Sequence, residues 1–280
     1  MLNYFRPKTL NECLECITED RVYIAGGTDL LVEMKAGHDL SNNTVIDLTH
    51  IPELAGVKKV DNTLEIMACT THDDIVNSSD VNTCLKTLSA ACRSVGSPQI
   101  RNKGTVGGSV GTASPASDPV PALMLADGKV VIINKKGETR EEKLEDFIIK
   151  PGVTTLKKDE MILSIKVNSL EEYKQSFFKI GRRKALAIAR LNFAMAILKN
   201  ADETIKDIRI VIGAALPVTK RFYDIEKQLI GKKLTEDVIE QVSKEISEQV
   251  LAIAGPRKSS EYKIPVIKNV INRMLKEMEV

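Results

Sequence analysis

Two glycine pairs, Gly26-Gly27 and Gly107-Gly108, constrain this chain more than any other feature of its sequence. Glycine has no Cβ, so it tolerates positive φ and lets backbone approach a ligand closely. Successive free N–H groups in such turns form a concave site for an anion. If the two turns converge, they can hold a pyrophosphate from both sides. The pairs therefore predict a site for a dinucleotide cofactor.

The second glycine segment is richer in ligand-binding groups than the first. Taken alone, the Gly26-Gly27-Thr28-Asp29 segment is more often a tight turn after a strand than a ligand site. The second segment adds a carboxylate at Asp118, which suits ribose hydroxyls, and several hydroxyl groups, which suit phosphate oxygens. These hydroxyl side chains are Thr105, Ser109, Thr112, Ser114 and Ser117. Other motifs are absent: the sequence has no Rossmann G-x-G-x-x-G, P-loop, nucleophile elbow or zincin signature.

Composition and charge narrow the class of protein. The chain has 280 residues, 43% hydrophobic and 28% charged, which is ordinary for a globular protein with two or three packed subdomains. A net charge of +2 gives no strong attraction to nucleic acid or to an anionic membrane. No apolar run approaches the ~20 residues that a membrane span needs, and the start of the chain does not resemble a secretion signal. We expect a cytoplasmic protein without a nucleic-acid partner.

The cysteines and histidines do not predict a metal site. The five cysteines are scattered, which is unlike a disulfide framework. The Cys13–Cys16 pair lies in a predicted helix, where small buried hydrophobic side chains are the favoured interpretation over a metal or redox role. The histidines are too dispersed for a metal site, and each is interpreted as an ordinary loop residue: His38, His50 and His72.

Apolar periodicity predicts the order of the elements. Strands are expected at 23–25, 44–48, 63–68, 129–135, 161–167, 190–199 and 205–215. Helices are expected after Thr9, around 85–95, at 218–229, at 235–254 and from near Pro265. The composition shifts after the strand at 161–167. We therefore divide the chain into 1–170, with subdomains of about 1–55 and 56–170, and 171–280.

The two glycine segments together resemble the FAD-binding subunit of molybdenum hydroxylases, the group of xanthine, nicotinate and carbon monoxide dehydrogenases. Three further stretches agree in order and spacing: 51–54, 160–165 and 178–183. The resemblance covers nearly the whole chain. It implies an α+β fold: a two-subdomain FAD-binding domain of the PCMH (vanillyl-alcohol-oxidase-like) type, followed by a C-terminal antiparallel sheet with helices.

The resemblance also implies a set of cofactor-binding residues. The first segment would wrap the FAD pyrophosphate with backbone amides, and the second would form the other phosphate-side turn. Ile162 would pack against the isoalloxazine, and Lys179 would lie near the flavin unless it is a solvated strand lysine. The full set is Ile24, Ala25, Gly26, Gly27, Thr28, Asp29, Leu30, Val95, Gly96, Thr105, Gly107, Gly108, Ser109, Thr112, Ser117, Asp118, Ile162 and Lys179. No side chain is expected to act as a catalytic acid or base.

The same resemblance implies partners. Substrate would be oxidised on a molybdopterin-binding subunit, and electrons would arrive from two [2Fe–2S] clusters on an iron–sulfur subunit. FAD would pass a hydride to NAD, and the assembly would be a dimer of heterotrimers. The four-cysteine cluster that some relatives insert in this subunit is expected to be absent. The substrate is expected to be xanthine or a related purine, with nicotinate, an aldehyde or carbon monoxide as alternatives.

The sequence leaves the role of one basic segment undecided. The Arg182-Arg183-Lys184 run could meet acidic groups on a partner or the NAD phosphates, although such a run is more often a solvated face. Where the family often has an acidic residue next, this chain has Ala185-Leu186-Ala187.

Two alternative functions also remain. They are a stand-alone FAD oxidoreductase of the same cofactor-binding architecture and a non-catalytic nucleotide-binding scaffold.

Overall fold

A computed structural model describes residues 3–183 and 186–279. Lys184, the last residue of the basic run 182–184, and Ala185, the residue after it, lie outside the described residues. The strands are, in chain order, β1 (Asn3–Phe5), β2 (Arg21–Ile24), β3 (Thr44–Asp47), β4 (Val57–Val60), β5 (Thr63–Met67), β6 (Lys129–Asn134), β7 (Thr139–Lys143), β8 (Ile148–Lys150), β9 (Val153–Thr154), β10 (Glu160–Asn168), β11 (Lys174–Gly181), β12 (Ala189–Lys199), β13 (Ile205–Gly213) and β14 (Lys220–Arg221).

The helices are short in the first part of the chain and long at its end. They are α1 (Leu10–Glu15), α2 (Leu30–Lys35), α3 (His72–Asn77), α4 (Ser79–Cys84), α5 (Lys86–Arg93), α6 (Pro98–Arg101), α7 (Val106–Gly111), α8 (Pro119–Leu125), α9 (Leu144–Phe147), α10 (Tyr223–Leu229), α11 (Glu236–Ala254) and α12 (Ser260–Glu279). A 3₁₀ turn covers Pro52–Leu54. Among the described residues, no helix combines the length and the apolar character that a bilayer crossing requires.

A small parallel sheet in the order β1-β3-β2 begins the fold. Helix α1 starts where the Glu12 N–H donates to the Thr9 hydroxyl at 3.2 Å. Its buried Cys13 and Leu14 pack on Ile46 of β3. This confirms that the Cys13 side chain is a small buried hydrophobic group, and burial raises the pKa of its thiol to about 12. Strand β2 leads directly into the first glycine turn.

An antiparallel sheet in the order β4-β5-β10-β6-β7 forms the second unit. Helices α3 to α5, α7 and α8 pack against this sheet in one apolar cluster. Thr71 begins α3 with a capping box, because its hydroxyl accepts from the Asp74 N–H and the Asp74 carboxylate accepts from the Thr71 N–H. The unit supplies the second glycine turn, which contains α7.

A third sheet, antiparallel in the order β11-β12-β13-β14, forms the C-terminal part. Side chains alternate across its faces because successive Cβ atoms of a strand point to opposite sides. On β12, Leu191 and Phe193 join the cluster formed with α11 and α12. Ala194 and Ala196 join the cluster of the second unit, which contains α8. The sheet is therefore covered on both faces.

Two helix predictions in this part were wrong in their bounds. The segment expected to be helical from 218 forms β14 and then α10, because Arg221 pairs with Val211 of β13. The last helix begins at Ser260 instead of near Pro265. The Lys263 N–H donates to the Ser259 carbonyl oxygen at 2.9 Å, so the first helical turn closes before Pro265.

A buried ionic group links β14 to α10 and to the loop after α8. The Arg221 Nε lies 3.0 Å from both carboxylate oxygens of Glu226, and its Nη1 lies 2.6 Å from Oδ1 of Asp127. The side chains of Arg221 and Glu226 are only 7% and 6% exposed. The Glu226 carboxylate also accepts from the Ile210 N–H at 2.7 Å. The group therefore fixes α10 against the C-terminal sheet.

We predict that Arg221→Met lowers the free energy of unfolding by about 3 kcal/mol, because Glu226 then keeps a buried charge without its partner. The double variant Arg221→Met/Glu226→Gln retains an acceptor for the Ile210 N–H and removes that charge, so it should lose less. Urea denaturation of the purified chain measures both. A double variant that is less stable than the single one would contradict this account.

Candidate functional site

A cleft of about 480 Å³ lies between the two glycine turns and the start of the C-terminal sheet. This volume is typical of small-molecule sites. The structure brings most of the predicted site residues to its wall. They are Ile24, Ala25, Gly26, Gly27, Thr28, Asp29, Leu30, Val95, Gly96, Thr105, Gly108, Ser109, Thr112, Ser117, Asp118 and Lys179.

The first glycine turn presents free backbone donors. It connects β2 to α2, and Gly27 has a φ of +67°, which favours glycine. Within the described part of the chain, no acceptor contacts the N–H groups of residues 25–30. Asp29 precedes α2 without a side-chain cap. Six consecutive unpaired N–H groups beside a cleft suit an anionic ligand.

The second glycine turn does not repeat this arrangement, which corrects the expectation of two amide sites. The N–H groups of Val106 and Gly107 donate to carbonyl oxygens within 68–70 at 3.0 and 2.8 Å. The Gly108 N–H donates to the Thr105 hydroxyl at 3.0 Å. These amides are used to attach the turn to the second unit. Its side-chain hydroxyls remain for a ligand.

Two predicted residues lie outside the cleft wall. Gly107 faces the second unit, where an added Cβ would lie 2.6 Å from the Ala68 carbonyl oxygen. Ile162 lies on β10 in the apolar cluster and is 8% exposed. The side chain of Ile162 packs near Gly111 of α7. The contact expected between Ile162 and the isoalloxazine is therefore without support from the cleft geometry.

An ion pair between Lys179 and Asp118 lies in the cleft wall and joins the two halves of the chain. The Lys179 Nζ also donates to the Ser94 carbonyl oxygen at 3.0 Å, and the Asn192 amide donates to Asp118 at 3.2 Å. Burial raises the pKa of Asp118, and the neighbouring Lys179 opposes that rise. The Lys179 side chain is only 12% exposed, so the alternative of a solvated strand lysine is wrong.

His72 is a cleft residue that sequence reasoning missed. It was interpreted as a loop histidine, but it is the first residue of α3 and is 2% exposed. The Thr71–Asp74 capping pattern could have placed it on a helix, whereas nothing local indicates the cleft. Ser114, one of the hydroxyl side chains singled out in the second glycine segment, also lines the cleft. The other lining residues that were not predicted are Tyr23, Val32, Ile100, Gly104, Ala116, Pro119, Leu186, Ala187 and Ile188.

The donors of the cleft fit a phosphate-bearing cofactor such as FAD. The unpaired N–H groups of 25–30 match the oxygens of a pyrophosphate, and the buried Ser117 hydroxyl has no partner within the described chain. Acidic side chains that would repel phosphate are limited in the wall to Asp29 and to Asp118, which is paired with Lys179. Among residues 3–183 and 186–279, no group of three or more His, Cys, Asp or Glu side chains could hold a metal ion.

Comparison with known proteins agrees with this assignment. Residues 1–168 match the family described as the FAD binding domain in molybdopterin dehydrogenase. Residues 176–278 match the CO dehydrogenase flavoprotein C-terminal domain. Together the two matches cover nearly all of the chain, and they confirm both the resemblance and FAD as the cofactor.

Individual relatives match over nearly their full length. The chain is 31% identical to the glyceraldehyde dehydrogenase medium chain of Sulfolobus acidocaldarius, covering 99% of this chain and 98% of that protein. It is also 31% identical to the nicotinate dehydrogenase FAD-subunit of Eubacterium barkeri, covering 97% and 94%. A structure of carbon monoxide dehydrogenase from Hydrogenophaga pseudoflava superposes with a TM-score of 0.89 at 25% identity, covering 99% and 96%. The chain belongs to the FAD-binding medium subunits of the molybdenum hydroxylase family.

Proposed function

We propose that this chain is the electron-transfer subunit of a multi-subunit molybdenum hydroxylase. It takes electrons from the [2Fe–2S] clusters of an iron–sulfur subunit and passes them through FAD to NAD. Substrate oxidation takes place on a molybdopterin-binding subunit, and the complex is a cytoplasmic dimer of heterotrimers. The single observation that supports this proposal best is the run of six N–H groups that find no acceptor in the described structure and lie in the same cleft as the Lys179–Asp118 pair.

The substrate of the complex does not follow from this chain. Relatives of 24–31% identity are named for glyceraldehyde, nicotinate, nicotine, carbon monoxide and xanthine. These relatives differ from this chain at most positions, yet each aligns with 97–99% of it although their named substrates differ. This supports a shared electron-transfer role. Xanthine is the substrate that we propose first, and activity assays of the molybdopterin-binding subunit test this choice.

The residues of this chain have binding and orienting roles. When bound, FAD supplies the chemistry that links one-electron carriers to a hydride acceptor. The N–H groups of 25–30 would bind its pyrophosphate, and the hydroxyls of Ser109 and Thr112 would add donors from the opposite turn. Lys179 has three ammonium donors, of which Asp118 and Ser94 take two. The third would be available to the cofactor.

The cleft depends on direct backbone contact between the two turns. A Cβ at Gly26 would overlap the carbonyl group of Lys103, and one at Gly104 would lie 3.3 Å from the Thr28 hydroxyl. The backbone of one turn is therefore packed on the backbone of the other. A side chain at Gly26 has to push the turns apart.

We predict that Gly26→Ala weakens FAD binding by roughly 10- to 100-fold, equivalent to an overpacking cost of about 1–3 kcal/mol. Gly111→Ala is the matched control, because its Cβ would meet only the Ile162 side chain at an ordinary 3.5 Å. Fluorescence titration of the apoprotein with FAD measures both. Equal affinities for the two variants would contradict the role of the turn contact.

The Lys179–Asp118 pair should also influence the reduction potential of bound FAD. Asp118→Asn removes the negative charge and leaves Lys179 uncompensated, which favours the more negatively charged reduced cofactor. We predict a rise in midpoint potential of about 30 mV for Asp118→Asn, corresponding to ~1.4 kcal/mol for a two-electron couple. Lys179→Met should shift the potential in the opposite direction. Spectroelectrochemical titration measures both shifts, and shifts of the same sign would exclude a charge effect.

The proposed function is tested with the purified chain and its natural partners. We expect one FAD per chain, anaerobic bleaching of the flavin by NADH, and co-purification with an iron–sulfur subunit. A chain without flavin would favour the nucleotide-binding scaffold. Flavin reduction by NADH with no association with an iron–sulfur subunit would favour the stand-alone oxidoreductase. Flavin that NADH does not reduce would exclude NAD as the acceptor.

A further inference from the structure

His72 is buried behind the second glycine turn and contacts a predicted cofactor residue. Its backbone N–H donates to the Gly104 carbonyl oxygen at 3.0 Å, which holds it against the turn. Its Nε2 lies 3.1 Å from the Ser109 hydroxyl oxygen. Its Nδ1 is buried and has no partner within the described residues. The imidazole therefore makes a single side-chain hydrogen bond, and that bond is to Ser109.

The unpartnered Nδ1 indicates which tautomer is present. A buried N–H without an acceptor is rarer and more costly than a lone pair without a donor. The stable arrangement therefore has no proton on Nδ1 and one on Nε2, which donates to Ser109. Protonation of both nitrogens would bury an unpaired N–H. Consistently, burial and the nearby Arg101 lower the pKa of His72 to about 4.

This tautomer determines how Ser109 can bind a ligand. A serine hydroxyl has one donor and two acceptor positions. If His72 occupies one acceptor position, the hydroxyl proton of Ser109 stays unused, because the hydroxyl makes no other hydrogen bond among the described residues. Ser109 lines the same cleft as residues 25–30, whose N–H groups have no acceptor among the described residues. Its proton is therefore available to an acceptor in the cleft.

We propose that His72 is a positioning residue that keeps Ser109 a hydrogen-bond donor toward a phosphate oxygen of bound FAD. This inference rests on the proposed cofactor site. It explains why a neutral imidazole is buried against this turn, where a second acceptor or a carboxylate would repel the phosphate. A ligand group next to the Ser109 hydroxyl therefore has to offer an acceptor oxygen, as a phosphate does, and not a donor.

A double-mutant cycle tests the coupling of the two residues. We expect His72→Leu and Ser109→Ala each to weaken FAD binding about tenfold, the value of one hydrogen bond. The double variant should bind no more weakly than either single variant, because both lose the same interaction. His72→Gln keeps an amide donor and should stay within about threefold of the wild type. His38→Leu, at an exposed loop position, is the control.

The tautomer itself is measured on the wild-type chain by ¹⁵N NMR, with and without FAD. We expect Nε2 to be protonated and Nδ1 to be unprotonated in both states. An Nδ1–H tautomer, or additive losses in the cycle, would overturn the proposal. If His72→Leu does not fold, the proposal is judged by the tautomer that NMR shows and by the FAD affinity of His72→Gln. If the wild type binds no FAD, the proposed function fails, whereas normal FAD binding without coupling overturns this inference alone.

Discussion

The close contact between the backbones of two glycine turns determines the rest of the site. Gly26 lies in the turn that follows β2 of the small parallel sheet, and Lys103 and Gly104 belong to the second unit. Their packing leaves no room for a side chain at Gly26. Because the turns touch, the free N–H groups of one turn and the hydroxyls of the other face a common cleft. The contact thus makes one ligand site from two separate sheets.

The two turns contribute different chemical groups, and the reason is how each is held in place. The second turn is attached through its own amides, which donate to segment 68–70 and to Thr105. Those amides cannot also bind a ligand, so its hydroxyls do so. The first turn is held by β2 on one side and α2 on the other, and its amides stay free. A backbone group can serve the fold or the ligand, but one donor does not serve both.

The sequence predicts features that depend on local rules and misses those that depend on distant contacts. The strand-like, mostly apolar segment 190–199 predicts β12, and the structure buries side chains on both faces of that strand. Strand β14 was missed because it exists only by pairing with β13. Gly107 was assigned to the ligand because of its glycine neighbour, but its missing side chain makes room for Ala68. His72 was missed because its burial is produced by the second glycine turn.

The C-terminal sheet contributes to the cleft as well as to the fold. Lys179 and Asn192 extend from β11 and β12 to Asp118, which precedes α8 in the first half of the chain. The same sheet face packs Ala194 and Ala196 on the cluster that contains α8. The polar contacts at the cleft and the apolar contacts beneath it therefore lie on one continuous surface. A cofactor that contacts Lys179 and the first glycine turn is bound by both halves of the chain, so its binding stabilises their contact.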